Sequence, residues 1–123
     1  MGVKLMKIAV VYFMIGILFG LYMSIFHVFT LTSVHAHLNL LGWMSLAIAG
    51  IFYILFPQLA ETGAAKAHFW LHNIGLPVMM ISIALAILEV SPLFFPLATI
   101  GGVVTVIGIF CFGFNVIANL RAN

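Results

Sequence analysis

Charge is what this chain has least of. Its 123 residues carry four Lys+Arg and two Asp+Glu, 5% of the total, against 66% hydrophobic residues. Soluble domains show about 25% charged residues. The shortfall excludes a soluble globule and a disordered tail, and cations this scattered, at a net charge of +2, exclude a nucleic-acid binder. Cysteine is nearly as scarce. Cys111 stands alone, which excludes an internal disulfide framework and any cysteine-built metal centre. A mean hydropathy of +1.36 leaves one class, an integral membrane protein. At this length it is read as a single transmembrane domain, residues 1–123.

The six charges, Lys4, Lys7, Glu61, Lys66, Glu89 and Arg121, divide the chain. Between them lie apolar runs at 8–26, 38–56, 69–88 (interrupted only by His72, Asn73 and Ser82) and 93–114. Each has roughly the 20 residues a helix needs to cross about 30 Å of hydrocarbon. They are too long, and too little alternating, for strands of a small barrel. The prediction is all-α, a membrane four-helix bundle with transmembrane helices at about 5–29, 34–56, 67–89 and 93–119.

Local signals suit those bounds. Thr30, Thr32 and Ser33 offer hydroxyl N-caps to the second helix, and Pro57 closes it. Residues 58–65, with Gly63, read as a loop. Ser91-Pro92 reads as an N-cap followed by proline at the first helical position, and Pro77 should kink the third helix. Short first and third connections force antiparallel neighbours. Four crossings put both termini and the Lys66 loop on one side, so Lys4, Lys7, Lys66 and Arg121 share a face. The positive-inside rule makes that face cytoplasmic, with a bacterial inner membrane as the expected setting. The first run exceeds a signal peptide's apolar core and no small-residue cleavage site follows it, so it is read as a helix. Met6 stands where myristoylation needs Ser or Thr.

Five histidines remain: His27, His35, His37, His68 and His72. Ionisable groups at membrane depth are costly, so each is a functional candidate. The predicted topology puts His27 in the last turn of the first helix and His35 and His37 in the first turns of the second. His68 and His72 open the third helix on the opposite side, about 20 Å or more away at 1.5 Å per residue. Two residues along a helix is a rotation of about 200°. His35 and His37 therefore leave on nearly opposite sides, able to serve two centres but not one ion; as interfacial residues they would simply meet headgroups and water. His68 and His72, spaced i, i+4, share a face and can chelate a metal. His68 reads more simply as an interfacial cap, while His72 lies a turn deeper. His27 suits either a ligand or an interface role. Gly16-x-x-x-Gly20, and Gly101, Gly102, Gly108 and Gly113, offer close helix approach.

Val34-His35-Ala36-His37-Leu38-Asn39-Leu40-Leu41-Gly42 resembles the His-x-His helix of haem-copper oxidase and nitric oxide reductase subunit I. The likeness continues in order through Phe56-Pro57, a Gly-containing loop, and Ala67-His68-Phe69-Trp70-Leu71-His72-Asn73-Ile74-Gly75 with Lys66 beside it, so that it covers about residues 33–80. The family's subunit I holds three four-helix units around a pseudo-threefold axis, and this chain is similar to the last of them. The resemblance implies a homotrimer that rebuilds a twelve-helix ring, with His35 and His37 of neighbouring protomers facing a shared gap. It implies haem b held by His35 and His37, with Asn39 as a hydrogen-bonding neighbour. His27 and His72 are further metal candidates, His27 toward copper or a propionate.

The departures set limits. No adjacent His-His for a copper helix pair occurs, and no carboxylate lies in an apolar run, so proton pumping is not expected. Without Cys-x-x-Cys-His, covalent haem attachment is excluded. The expected activity is electron transfer or O2/NO binding, with a redox protein or quinol as partner beside the lipid bilayer; whether it is an enzyme stays open. A carrier of copper or haem, or an accessory subunit of a respiratory oxidase, is the alternative.

Overall fold

The structure, a computed structural model, describes residues 1–121 and is helical almost throughout, with no strand among them. Four helices are long and apolar enough to cross a membrane: α1 (Gly2–Phe26), α2 (Thr32–Leu55), α3 (Gly63–Ile87) and α4 (Phe94–Asn119). Apolar run length sets these spans, as expected. Local capping sets their ends, and there the structure departs from the sequence reading.

α1 and α3 both end early, and for the same reason. His27 (φ 52°) and Glu89 (φ 56°) take the left-handed conformation just past the helix. The next residue then reaches back, Val28 N–H to Met23 O and Val90 N–H to Leu85 O, which satisfies carbonyls that a helix end leaves free. At the other end, residues read as loop form a single helical turn, Pro57–Ala60. Thr62 then caps α3 by accepting the Ala65 N–H at 3.0 Å. The hydroxyl cap expected for α2 does not form, because Thr32 donates back to the Phe29 carbonyl at 2.6 Å. Ser91 accepts from Leu93 N–H, and Pro92 lies in the turn before α4 rather than at its first position. Pro77 lies inside α3, which continues through it.

α2 is not uniform. Its segment Leu38–Ser45 widens to a π-helix. Such segments shift the backbone ladder and are frequent at functional sites. Here side chains take up backbone carbonyls around it: Asn39 Nδ2 donates to His35 O at 2.9 Å and Ser45 Oγ to Leu40 O at 2.8 Å.

The helices pair as two hairpins, α1 with α2 and α3 with α4, and α1 and α4 share no extended contact. α2 and α3 are the more buried pair, and Phe112 of α4 also packs on Phe52 and Tyr53 of α2. Leu5, Ala9, Leu46, Ala49, Tyr53 and Leu59 form a core layer at the end carrying both termini. Val34, Leu38, Leu76, Met79 and Met80 form a second toward the far end.

Glycine makes the α3–α4 contact. A Cβ on Gly101 would lie 2.5 Å from the Met79 backbone N, and one on Gly108 would lie 2.9 Å from the His72 N. Two of the four α4 glycines thus act as expected. Gly102 meets only ordinary contacts and Gly113 meets nothing within 4 Å, so these two are not part of the crossing. Gly101→Ala should destabilise the protein by roughly 1–3 kcal/mol through overpacking. Gly113→Ala should be neutral or stabilising by up to about 1 kcal/mol, from helix propensity alone. Unfolding midpoints of the two variants in detergent provide the comparison.

Candidate functional site

The histidines fall into three environments. His27, expected in the last turn of α1, is instead the exposed residue that ends it, its N–H donated to Met23 O. It stands apart from the others.

His35 and His37 leave α2 on different sides, as their spacing requires. His35 turns toward α1 and fills the notch at Gly20, where a Cβ would lie 2.8 Å from its Cε1. Phe19 stacks beside it at 6.5 Å between centroids. Asn39 occupies the notch at Gly16 and lies 3.4 Å from His35 Nδ1. The Gly16-x-x-x-Gly20 stripe therefore serves more than backbone approach: it seats two polar side chains of α2. His37 instead lines a shallow hollow of about 210 Å³ with Ala36, Leu40 and Leu41. Its Nδ1–H donates to Ser33 O at 2.7 Å. A carbonyl only accepts, so the proton sits on Nδ1 and the Nε2 lone pair is free.

His68, read as an interfacial cap, is buried, and so is His72, read as a turn deeper. They are 1% and 0% exposed. Three hydrogen bonds join them into a line across α2 and α3. His72 Nε2 lies 3.0 Å from Leu41 O, His68 Nε2 lies 3.3 Å from His72 Nδ1, and Tyr53 Oη lies 3.0 Å from His68 Nδ1. The carbonyl dictates the polarity of the whole line. Since Leu41 O only accepts, His72 carries its proton on Nε2 and accepts on Nδ1. His68 must then donate from Nε2 and accept on Nδ1, and Tyr53 donates its O–H. Both imidazoles are neutral in this arrangement.

The expected separation of about 20 Å between the two histidine groups fails for His72. Its ring reaches the Leu41 carbonyl, four residues along α2 from His37, an axial step of about 6 Å. Even so, among the described residues no three His, Cys, Asp or Glu side chains come together as a metal-holding group. Between His68, His72 and α4 lies a cavity of about 160 Å³, lined also by Ser45, Ile48, Ile109 and Phe112. Toward the terminal end, Asn119 donates to Asn115 Oδ1 and Asn115 to Leu59 O, each at 2.9 Å. No buried side-chain N or O among the described residues lacks a partner.

Sequence reasoning missed Tyr53 and Asn115. A signal for Tyr53 existed. It lies four residues before Pro57, and His68 lies about as far into α3, so an antiparallel hairpin sets them at one depth. Asn115, on α4, has no such local cue.

The fold and these side chains define a multi-pass, all-helical membrane protein with a buried imidazole line. Against known protein families, characterised proteins and solved structures, the chain has no significant match.

Removing the phenol tests the line's polarity. Tyr53→Phe leaves His68 Nδ1 without its donor and should cost about 1–3 kcal/mol. Tyr53→Leu adds a lost ring contact with Phe112 and should cost more. Equal unfolding midpoints for wild type and Tyr53→Phe would rule out the assigned hydrogen bond.

Proposed function

We propose that this chain is a b-type haem protein of the membrane, built like one four-helix unit of a haem-copper oxidase subunit I and working as a homotrimer. One observation carries the reading. Ser33 O holds the His37 Nδ1–H at 2.7 Å and leaves Nε2 free toward an apolar hollow. Iron and other metals take neutral imidazole in this form, with the second ring nitrogen donated to a carbonyl.

The fit is uneven, and the unevenness supports the trimer. The His37 hollow, about 210 Å³, is smaller than the roughly 300–1,000 Å³ of small-molecule pockets. A second protomer supplies the missing wall. A four-helix unit whose α1 and α4 share no extended contact can join others through those helices, and three units make twelve helices. His35, seated in the Gly20 notch, must turn out of it to reach a haem in that gap. His37 is the stronger ligand of the two, and Asn39 holds the His35 backbone.

Bound haem would supply reversible one-electron chemistry, or a free iron position for O2 or NO where only one histidine ligates. The chain's own part is to orient His37 and to exclude water with Leu40 and Leu41. His27 is exposed beyond α1, and a role toward copper or a propionate would confine it to the rim. The cationic end, with both termini, faces the cytoplasm in this reading.

Purified protein should show a reduced α-band in the range of b haem, and its mass in detergent should be that of three chains. His37→Ala should lose the band, while His68→Ala should keep most of it. A colourless protein, or equal loss in both variants, overturns the assignment.

A further inference from the structure

We infer that His68 and His72 form a two-coordinate site for a monovalent d10 metal cation, copper(I) in a cell, within a single protomer. The geometry is that of two imidazole nitrogens aimed at one another. His68 Nε2 and His72 Nδ1 lie 3.3 Å apart, with one hydrogen between them. The i, i+4 spacing and the packing of α3 hold both rings on one side of the helix.

The outer nitrogens already have what a ligand pair needs. His72 Nε2–H is fixed by Leu41 O, which leaves the Nδ1 lone pair pointing inward. Tyr53 Oη faces His68 Nδ1, and a phenol can accept a hydrogen bond as well as donate one. On binding, the hydrogen on His68 Nε2 is relocated to Nδ1. Tyr53 turns from donor to acceptor there, and both rings stay neutral with no net proton release. The ion occupies the place of the hydrogen. Two metal–imidazole bonds of about 2 Å span about 4 Å, so the rings must part by under about 1 Å. The cavity of about 160 Å³ that both histidines line gives them that room.

Charge and ligand number select the ion. Zinc asks for four ligands, and among the described residues no third His, Cys, Asp or Glu completes a group. Burying a charge without a counter-ion is expensive, which disfavours a divalent ion more than a monovalent one. Imidazole accepts zinc, iron and nickel as well as copper, so low charge and a ligand number of two make the selection. The site does not depend on the haem reading, since its ligands, cavity and tautomers all lie within one chain.

Silver(I), a d10 ion needing no reductant, is the probe. Full-length protein in nanodiscs should retain one silver per chain through gel filtration, measured by elemental analysis. The His35→Ala/His37→Ala double variant should retain the same. His72→Gln, whose amide can still reach Leu41 O, and His68→Leu should lower the retained silver at least tenfold. Should those variants fail to fold, wild type labelled with ¹⁵N-histidine decides. Two imidazole nitrogens, one Nε2 and one Nδ1, should show one-bond coupling to ¹⁰⁹Ag. Silver that is not retained, that survives in both variants, or that shows a sulfur shell by X-ray absorption overturns the site. Haem absorbance is a separate readout, so failure of either proposal is visible without the other.

Discussion

The hydrogen bond from His72 to the Leu41 carbonyl, 3.0 Å long, joins α2 and α3 midway between their two shared core layers. In hydrocarbon no water competes for either group, so breaking it strands a donor and an acceptor together. Its consequences run in both directions. On α2 it accompanies the widened turn, where the next carbonyl, Leu40 O, takes the Ser45 hydroxyl. On α3 it decides which nitrogen of His72 carries hydrogen, and through that the tautomer of His68 and the direction of the Tyr53 O–H. A single acceptor thus orders three ionisable side chains without any charge.

Seen this way, the scarcity of charge is not a lack of polar chemistry. The six formal charges lie within two turns of a helix end or beyond it, while the buried polar side chains among the described residues are all paired. His35 and Asn39 rest in glycine notches of α1, and His68 and His72 rest between α2 and α4. Glycine and imidazole are coupled throughout. Gly108 brings α4 against the His72 backbone, and Gly20 gives His35 its seat.

The four spans were legible because run length and hydropathy depend on composition alone, and a membrane imposes one thickness on all of them. The opposed exits of His35 and His37 were legible from helical rotation. What was not legible depends on pairing between helices. No periodicity shows that Leu38–Ser45 widens, nor that a carbonyl within it bonds a residue 31 positions away. Nor does it show that His68 is buried, because Tyr53 and Phe112, which enclose it, come from α2 and α4. Helix ends were misjudged where non-glycine residues, His27 and Glu89, adopt a conformation usually left to glycine. Amino-acid pattern in lipid also does not distinguish a face turned to lipid from one turned to a neighbour, so the pairing of the four helices was not legible either.

The two-hairpin construction also imposes an order on biosynthesis. α1 and α2 leave the ribosome first and can pack on each other at once, with His35 already at Gly20. The imidazole line cannot form at that stage, since it draws Tyr53 and Leu41 from the first hairpin and His68 and His72 from the second. Until the second hairpin docks, Leu41 O lacks its His72 partner. The completed line is therefore a property of both hairpins together, and neither holds it alone.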